Sequence, residues 1–85
     1  MDSEPLVRAI IAALMVLENA TDSEIDPDVA VRGIESITGE ISEIEARDRA
    51  ELLHIISRIS SSEGDSPVGK FAKTLPFMIG LDLGA

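Results

Sequence analysis

Asp26-Pro27-Asp28-Val29-Ala30-Val31-Arg32-Gly33-Ile34-Glu35-Ser36-Ile37-Thr38-Gly39-Glu40-Ile41-Ser42-Glu43-Ile44 is the stretch that decides the fold class of this chain. Within it Ala30, Ile34, Ile37, Ile41 and Ile44 recur at spacings of 4, 3, 4 and 3. That rhythm lays them along one stripe of an α-helix, whereas on a strand it would scatter them over both faces. The start of the helix is legible too. Asp26 is an N-cap residue whose carboxylate can accept from an otherwise orphaned backbone N–H, and Pro27 fills the first helical position, where its missing N–H costs nothing. Gly33 and Gly39 sit inside the pattern, each costing about 1 kcal/mol relative to alanine. Close approach of the first helix explains them better than simple weakness.

The same punctuation recurs on either side. Upstream, residues 9–17 are uninterrupted apolar sequence, with Ser3 as the expected cap and Pro5 in the first turn. A helix over 4–18 follows, stopped at Asn19, with Glu4 and Arg8 paired one turn apart. It is apolar nearly all round, the mark of a helix at the centre of the molecule or buried against another chain. Downstream, Leu52, Leu53, Ile55, Ile56 and Ile59 give a helix over 46–60, with Glu43–Arg47 and Glu45–Arg49 in the favourable acid-first order. Ser60-Ser61-Ser62-Glu63-Gly64 reads as a polar loop. Ser66-Pro67 repeats the cap-and-proline start for a helix over 67–75, with Val68, Phe71, Ala72 and Leu75 inward and Lys70 and Lys73 outward. Pro76 should end it, or restart it as a short turn through Met78 and Ile79. Residues 80–85 either fray or tuck against the core through Leu81 and Leu83. Strand-like alternation is missing throughout. The expected fold is all-α: one domain over residues 1–85, a compact bundle of four helices (4–18, 27–43, 46–60, 67–75) with a short C-terminal helical turn.

Composition narrows the function classes. The chain has 85 residues, 45% of them apolar, and sixteen acids against seven bases give a net charge of −9. Without cysteine, disulfide scaffolds, thiolate metal sites and thiol nucleophiles are all excluded. So acidic a surface repels phosphate, which argues against nucleic acid and against anionic lipid. The longest apolar run is far below the roughly 20 residues that span a bilayer. The opening Met1-Asp2-Ser3-Glu4-Pro5 lacks the positive n-region of a signal peptide, so a cytoplasmic location is expected.

Few residues invite a chemical reading. His54 is the only histidine, and with no second His or Cys to converge on a metal it reads as a boundary residue. Counting from Glu24, acids fall at positions 1, 3, 5 and 12 of a calcium loop, but Val29 occupies the position that needs glycine and Pro27 sets position 4. Gly64-Asp65-Ser66 has the Asp-Ser pair of acyl carrier proteins, yet Pro67 follows it and no helix pair lies beyond to hold an acyl chain; Ser66 reads as an N-cap. No catalytic residue, metal ligand or cofactor is expected, and the protein is read as a non-enzyme. The charge distribution stands out. Glu18, Asp22, Glu24, Asp26 and Asp28 lie within eleven residues that carry no base, whereas Arg8, Arg32, Arg47 and Arg49 all have acids one turn away. A concentrated negative patch on a rigid body steers a basic protein partner.

Two resemblances bear on this reading. Asp26-Pro27-Asp28, the Ala30-Val31-Arg32-Gly33-Ile34-Glu35 segment and the Phe-x-x-x-Leu-Pro pattern from Phe71 to Leu81 resemble a group of small acidic bacterial proteins of unassigned function, which implies a helical fold and no site. In size, acidity and helix count, and in Asp65-Ser66-Pro67-Val68-Gly69, the chain is also similar to nuclease-toxin immunity proteins, including those of colicins. It departs from them in lacking their Tyr-Tyr pair. That resemblance implies a strategy, an acidic helical body blocking a basic enzyme such as a toxin. The leading expectation is therefore an acidic protein-binding module, an immunity or inhibitor protein whose partner-binding residues are Glu18, Asp22, Glu24, Asp26 and Asp28. The alternative expectation is a structural module that forms a homodimer through its first helix.

Overall fold

A computed structural model describes residues 2–80. Four helices follow one another, α1 (Glu4–Asn19), α2 (Pro27–Ser42), α3 (Ala46–Glu63) and α4 (Pro67–Met78), and no strand occurs among the described residues. The all-α four-helix architecture is the one the sequence predicts. The tail beyond Gly80, including Leu81 and Leu83, lies outside the described residues.

Helix α1 is central, packing against each of the other three. Its inner stripe Val7, Ile11 and Leu14 is buried, and it meets Ile55, Ile56 and Ile59 of α3 and Ala72 and Leu75 of α4, with Ile79 closing the end of the cluster. The α3–α4 pair forms the most extensive interface. The isoleucine stripe of α2 is less deeply buried than its regularity suggests. Ile34, Ile37, Ile41 and Ile44 are half-buried and only Ala30 is buried, because α2 packs chiefly on α1 and not into the groove between α3 and α4.

The caps and boundaries refine the sequence reading. Asp26 accepts from the Asp28 N–H at 2.8 Å, and Ser66 Oγ from the Gly69 N–H at 3.1 Å, as the cap-and-proline pairs predict. Ser3 makes no side-chain cap; the Asp2 carboxylate takes that role, accepting from the Glu4 N–H at 3.0 Å. Residues 60–63 are not a loop but the last turn of α3. Gly64, at φ 58°, is where the chain leaves the helix, in backbone space that costs other residues dearly. Glu63 is also held in place by Arg8 of α1, at 2.8 Å. Pro76 does not end α4, which runs on to Met78. Proline there removes one donor, leaving the Ala72 carbonyl without its helical partner, while burial of Leu75 and Ile79 on either side holds the helical path. Of the two interior glycines of α2, Gly33 is a close approach: a Cβ there would meet Leu17 Cδ1 of α1 at 3.0 Å. Gly39 faces open space, so the close-packing expectation holds for one glycine and not the other.

Electrostatics reinforce the α1–α3 seam. Glu4 accepts from Arg8 at 3.1 Å and from Arg58 of α3 at 3.0 Å, and Arg8 also donates to Glu63, so two acids and two arginines lock the start of α1 to the end of α3. The Arg58 and Arg8 hydrogen bonds hold the Glu4 carboxyl below its ordinary pKa, and the Glu63 and Glu4 carboxylates raise that of Arg8. The expected Glu43–Arg47 and Glu45–Arg49 pairs do not form, because the α2–α3 turn falls between their members. Arg49 instead donates to the Ile44 carbonyl at 3.2 Å, and Arg47 reaches Glu45 only at 3.9 Å on an exposed surface.

Candidate functional site

The α1–α2 connector owes its shape to one turn of helix and a single apolar anchor. The backbone N–H groups of Glu24 and Ile25 both donate to the Thr21 carbonyl, at 2.9 and 3.0 Å. Glu24 closes the turn reciprocally: its carboxylate accepts from the Thr21 N–H at 2.9 Å and from the Thr21 hydroxyl at 3.1 Å. This is the glutamate half of a capping box: the Glu24 carboxylate reaches back to the Thr21 N–H, while the Glu24 N–H is taken by the Thr21 carbonyl and not by its hydroxyl, and the Thr-x-x-Glu spacing is legible in the sequence. The backbone and hydroxyl of Thr21 hold the Glu24 carboxyl below its ordinary pKa, since both donate to its charged form. Ile25, the lone large apolar residue among the acids, is half-buried and pins the turn to the body.

With the turn pinned, the five acids are all exposed. They do not have equal roles. Glu24 and Asp26 already serve their own backbone as caps. Glu18, Asp22 and Asp28 accept no side-chain or turn-capping hydrogen bond among the described residues, and their carboxylates are free for an external cation. The ion pairs of the described residues join Glu4, Glu45 and Glu63 to Arg8, Arg47 and Arg58, so none of them involves an acid of the connector; the nearest base along the chain is Arg32, one turn beyond Asp28.

The connector also borders a cleft of about 220 Å³ between the end of α1 and the start of α2. Its floor is apolar, formed by Leu17, Ile25, Ala30 and Ile34, and Glu18 and Asp22 stand on its rim. An apolar floor under two unpaired carboxylates matches a lysine or arginine side chain, which has an aliphatic stem and a cationic head. The floor residues were missed as site residues in the sequence; the one available signal was Ile25, an isolated apolar residue in a run of acids. Val31, which lines the cleft, and Val29 at the start of α2 are about half exposed at 53% and 46% and add apolar surface to the acidic one.

No group of three or more His or acidic side chains is arranged to hold an ion among the described residues, and His54 is exposed on α3. Among the described residues no helix is long and apolar enough to cross a membrane. Comparison with protein-family models, with curated proteins and with solved structures finds no match to this chain, so the functional reading rests on the geometry and chemistry above.

Proposed function

We propose that this chain is a non-enzymatic binding module that captures a basic protein through the α1–α2 connector, acting as an inhibitor or immunity protein in the cytoplasm. One observation carries the reading: a cleft with an apolar floor and unpaired carboxylates on its rim, set in the most acidic segment of the chain. The long-range field of that segment would speed encounter with a cationic surface, and the cleft would then seat one lysine or arginine. The test is affinity capture on the immobilised chain at low salt with elution by a salt gradient, run beside a variant carrying Glu18→Gln, Asp22→Asn and Asp28→Asn. These three substitutions leave the Glu24 and Asp26 caps intact. A basic protein retained by the parent chain and lost by the variant supports the reading, and equal retention on both rejects it.

A second reading rests on the outer face of α1. Leu6 and Val16 are 53% and 63% exposed, and with the exposed Ala9 and Ala13 between them they form a charge-free stripe. The stripe is symmetric about its middle, so in an antiparallel pair of α1 helices Leu6 would meet the partner's Val16 while the alanines cross closely at the centre. Such a homodimer would serve as a structural module. It strengthens with added salt as the like charges of two acidic chains are screened, the reverse of the connector reading. Sedimentation equilibrium decides it: Val16→Glu should abolish any dimer, and a monomer at tens of micromolar removes the reading.

A further inference from the structure

Helix α4 is the one helix with a positive balance, carrying Lys70 and Lys73 and no acid in a chain of net charge −9. Neither lysine enters an ion pair among the described residues. Phe77 lies one turn beyond Lys73 and is the most exposed large apolar side chain described, at 77%. Lys73 is three positions beyond Lys70 and Phe77 four positions beyond Lys73, so the three share a face. Beside that face, between α3 and α4, runs a groove of about 360 Å³ whose walls include Leu53, Ile56, Ala72 and Pro76, with Lys73 at its edge. On the α3 side the polar lining is Ser57, Ser60 and Ser61, and no carboxylate is among the described residues that line the groove.

We propose that this face is a second docking surface, which takes an acidic amphipathic helix from a partner protein. Charge complementarity selects that occupant. Among the described residues the groove lining and its flank hold no acid, in a chain where acids outnumber bases more than two to one, and the charges they carry are those of Lys70 and Lys73. An incoming helix would place apolar anchors in the groove and against Phe77, and glutamates or aspartates beside Lys70 and Lys73. The flank from Lys70 to Phe77 extends about 10 Å along α4, and Phe77 lies outside the groove lining. A ligand that uses all three residues must present anionic groups to both lysines and apolar surface to Phe77 and the groove at once, as the two faces of an amphipathic helix do. The proposal is independent of the connector reading, because the two surfaces have opposite charge and share no residue.

Two synthetic amphipathic helices test it, with the same leucine stripe and with either glutamate or lysine on the outer face. Each is titrated into the full isotope-labelled chain and followed by amide chemical shifts. The glutamate peptide should shift resonances of Leu53, Ser57, Lys73 and Phe77, and Lys73→Glu or Phe77→Ser should weaken its binding about tenfold. Both substituted residues are exposed, and unchanged shifts at Leu14 and Ile59 would show the fold intact. No binding of the glutamate peptide, shifts confined to other surfaces, or affinity untouched by both variants would overturn the proposal. So would concentration-dependent shifts at the groove without peptide, which would mark a second copy of the chain as its occupant. Shifts of the connector by the lysine peptide report on the other surface alone.

Discussion

Gly69 is, among the described glycines, the one where a side chain meets the tightest obstacle. It is buried at the first turn of α4, and a Cβ there would sit inside the van der Waals shell of the Gly64 carbonyl oxygen, backbone that cannot swing aside. Gly69→Ala should destabilise the protein by about 1–3 kcal/mol or more through overpacking at the α3–α4 turn. Gly39→Ala should do the opposite, adding about 0.5–1 kcal/mol, because its Cβ meets nothing within 4 Å and alanine is the better helix former. Urea denaturation of the two variants beside the parent chain checks both signs. Sequence alone does not separate Gly33, Gly39 and Gly69, since each is a glycine in a helical pattern. What separates them is the atom that each faces: a leucine side chain, solvent, and a backbone carbonyl. The same lesson applies to the acids. Five carboxylates look alike in the sequence, but two serve as caps and three are free, and only hydrogen-bond geometry tells them apart.

At the scale of elements, the caps and stripes were legible because they depend on neighbours three and four residues away. The helix ends of α3 and α4 were not, because they depend on partners distant in sequence. Residues 60–63 read as a polar break, but Glu63 is fifty-five residues from the Arg8 guanidinium that holds it. Pro76 reads as a stop, but the burial of Leu75 and Ile79 carries the helix past it. That seam has a pH signature. The Glu4 carboxyl is held below its ordinary value of 4.5 by Arg58 and Arg8, so its contribution is fully present above that pH and is lost as pH falls through the lowered folded-state pKa. Thermal unfolding followed by circular dichroism from about pH 6 down to about pH 3 should show the midpoint falling, and Glu4→Gln should reduce the acid-dependent part of that fall. An identical pH profile in the variant would show that the Glu4 cluster is only surface decoration. Helix α2 makes a separate prediction. With only Ala30 buried and α1 as its main support, it should open more readily than the rest. Hydrogen exchange should be faster for α2 amides than for those of Ile55, Ile56, Ile59 and Leu75, and equal protection would mean that α2 is integrated into the core.

Over the whole molecule, apolar burial and charge are laid out separately. The core is built by α1, α3 and α4, while the negative charge concentrates on the connector that leads into the loosely held α2. The concentration of acids was readable from the sequence, because a run without bases has no local means of neutralisation. The cleft beside it was not, since Leu17, Ala30 and Ile34 come from two helices whose packing no local pattern records. That arrangement gives the reading its physical content: a mobile cationic side chain would find both an attractive field and a floor for its stem. The most direct test measures the association rate of the basic protein retained by the immobilised chain as ionic strength is raised, for the parent and for the Glu18→Gln, Asp22→Asn, Asp28→Asn variant. The account predicts that the parent's rate is several-fold higher at low salt and falls steeply as salt is added, while the variant's rate is low and nearly flat. Coincident curves for the two proteins would contradict it.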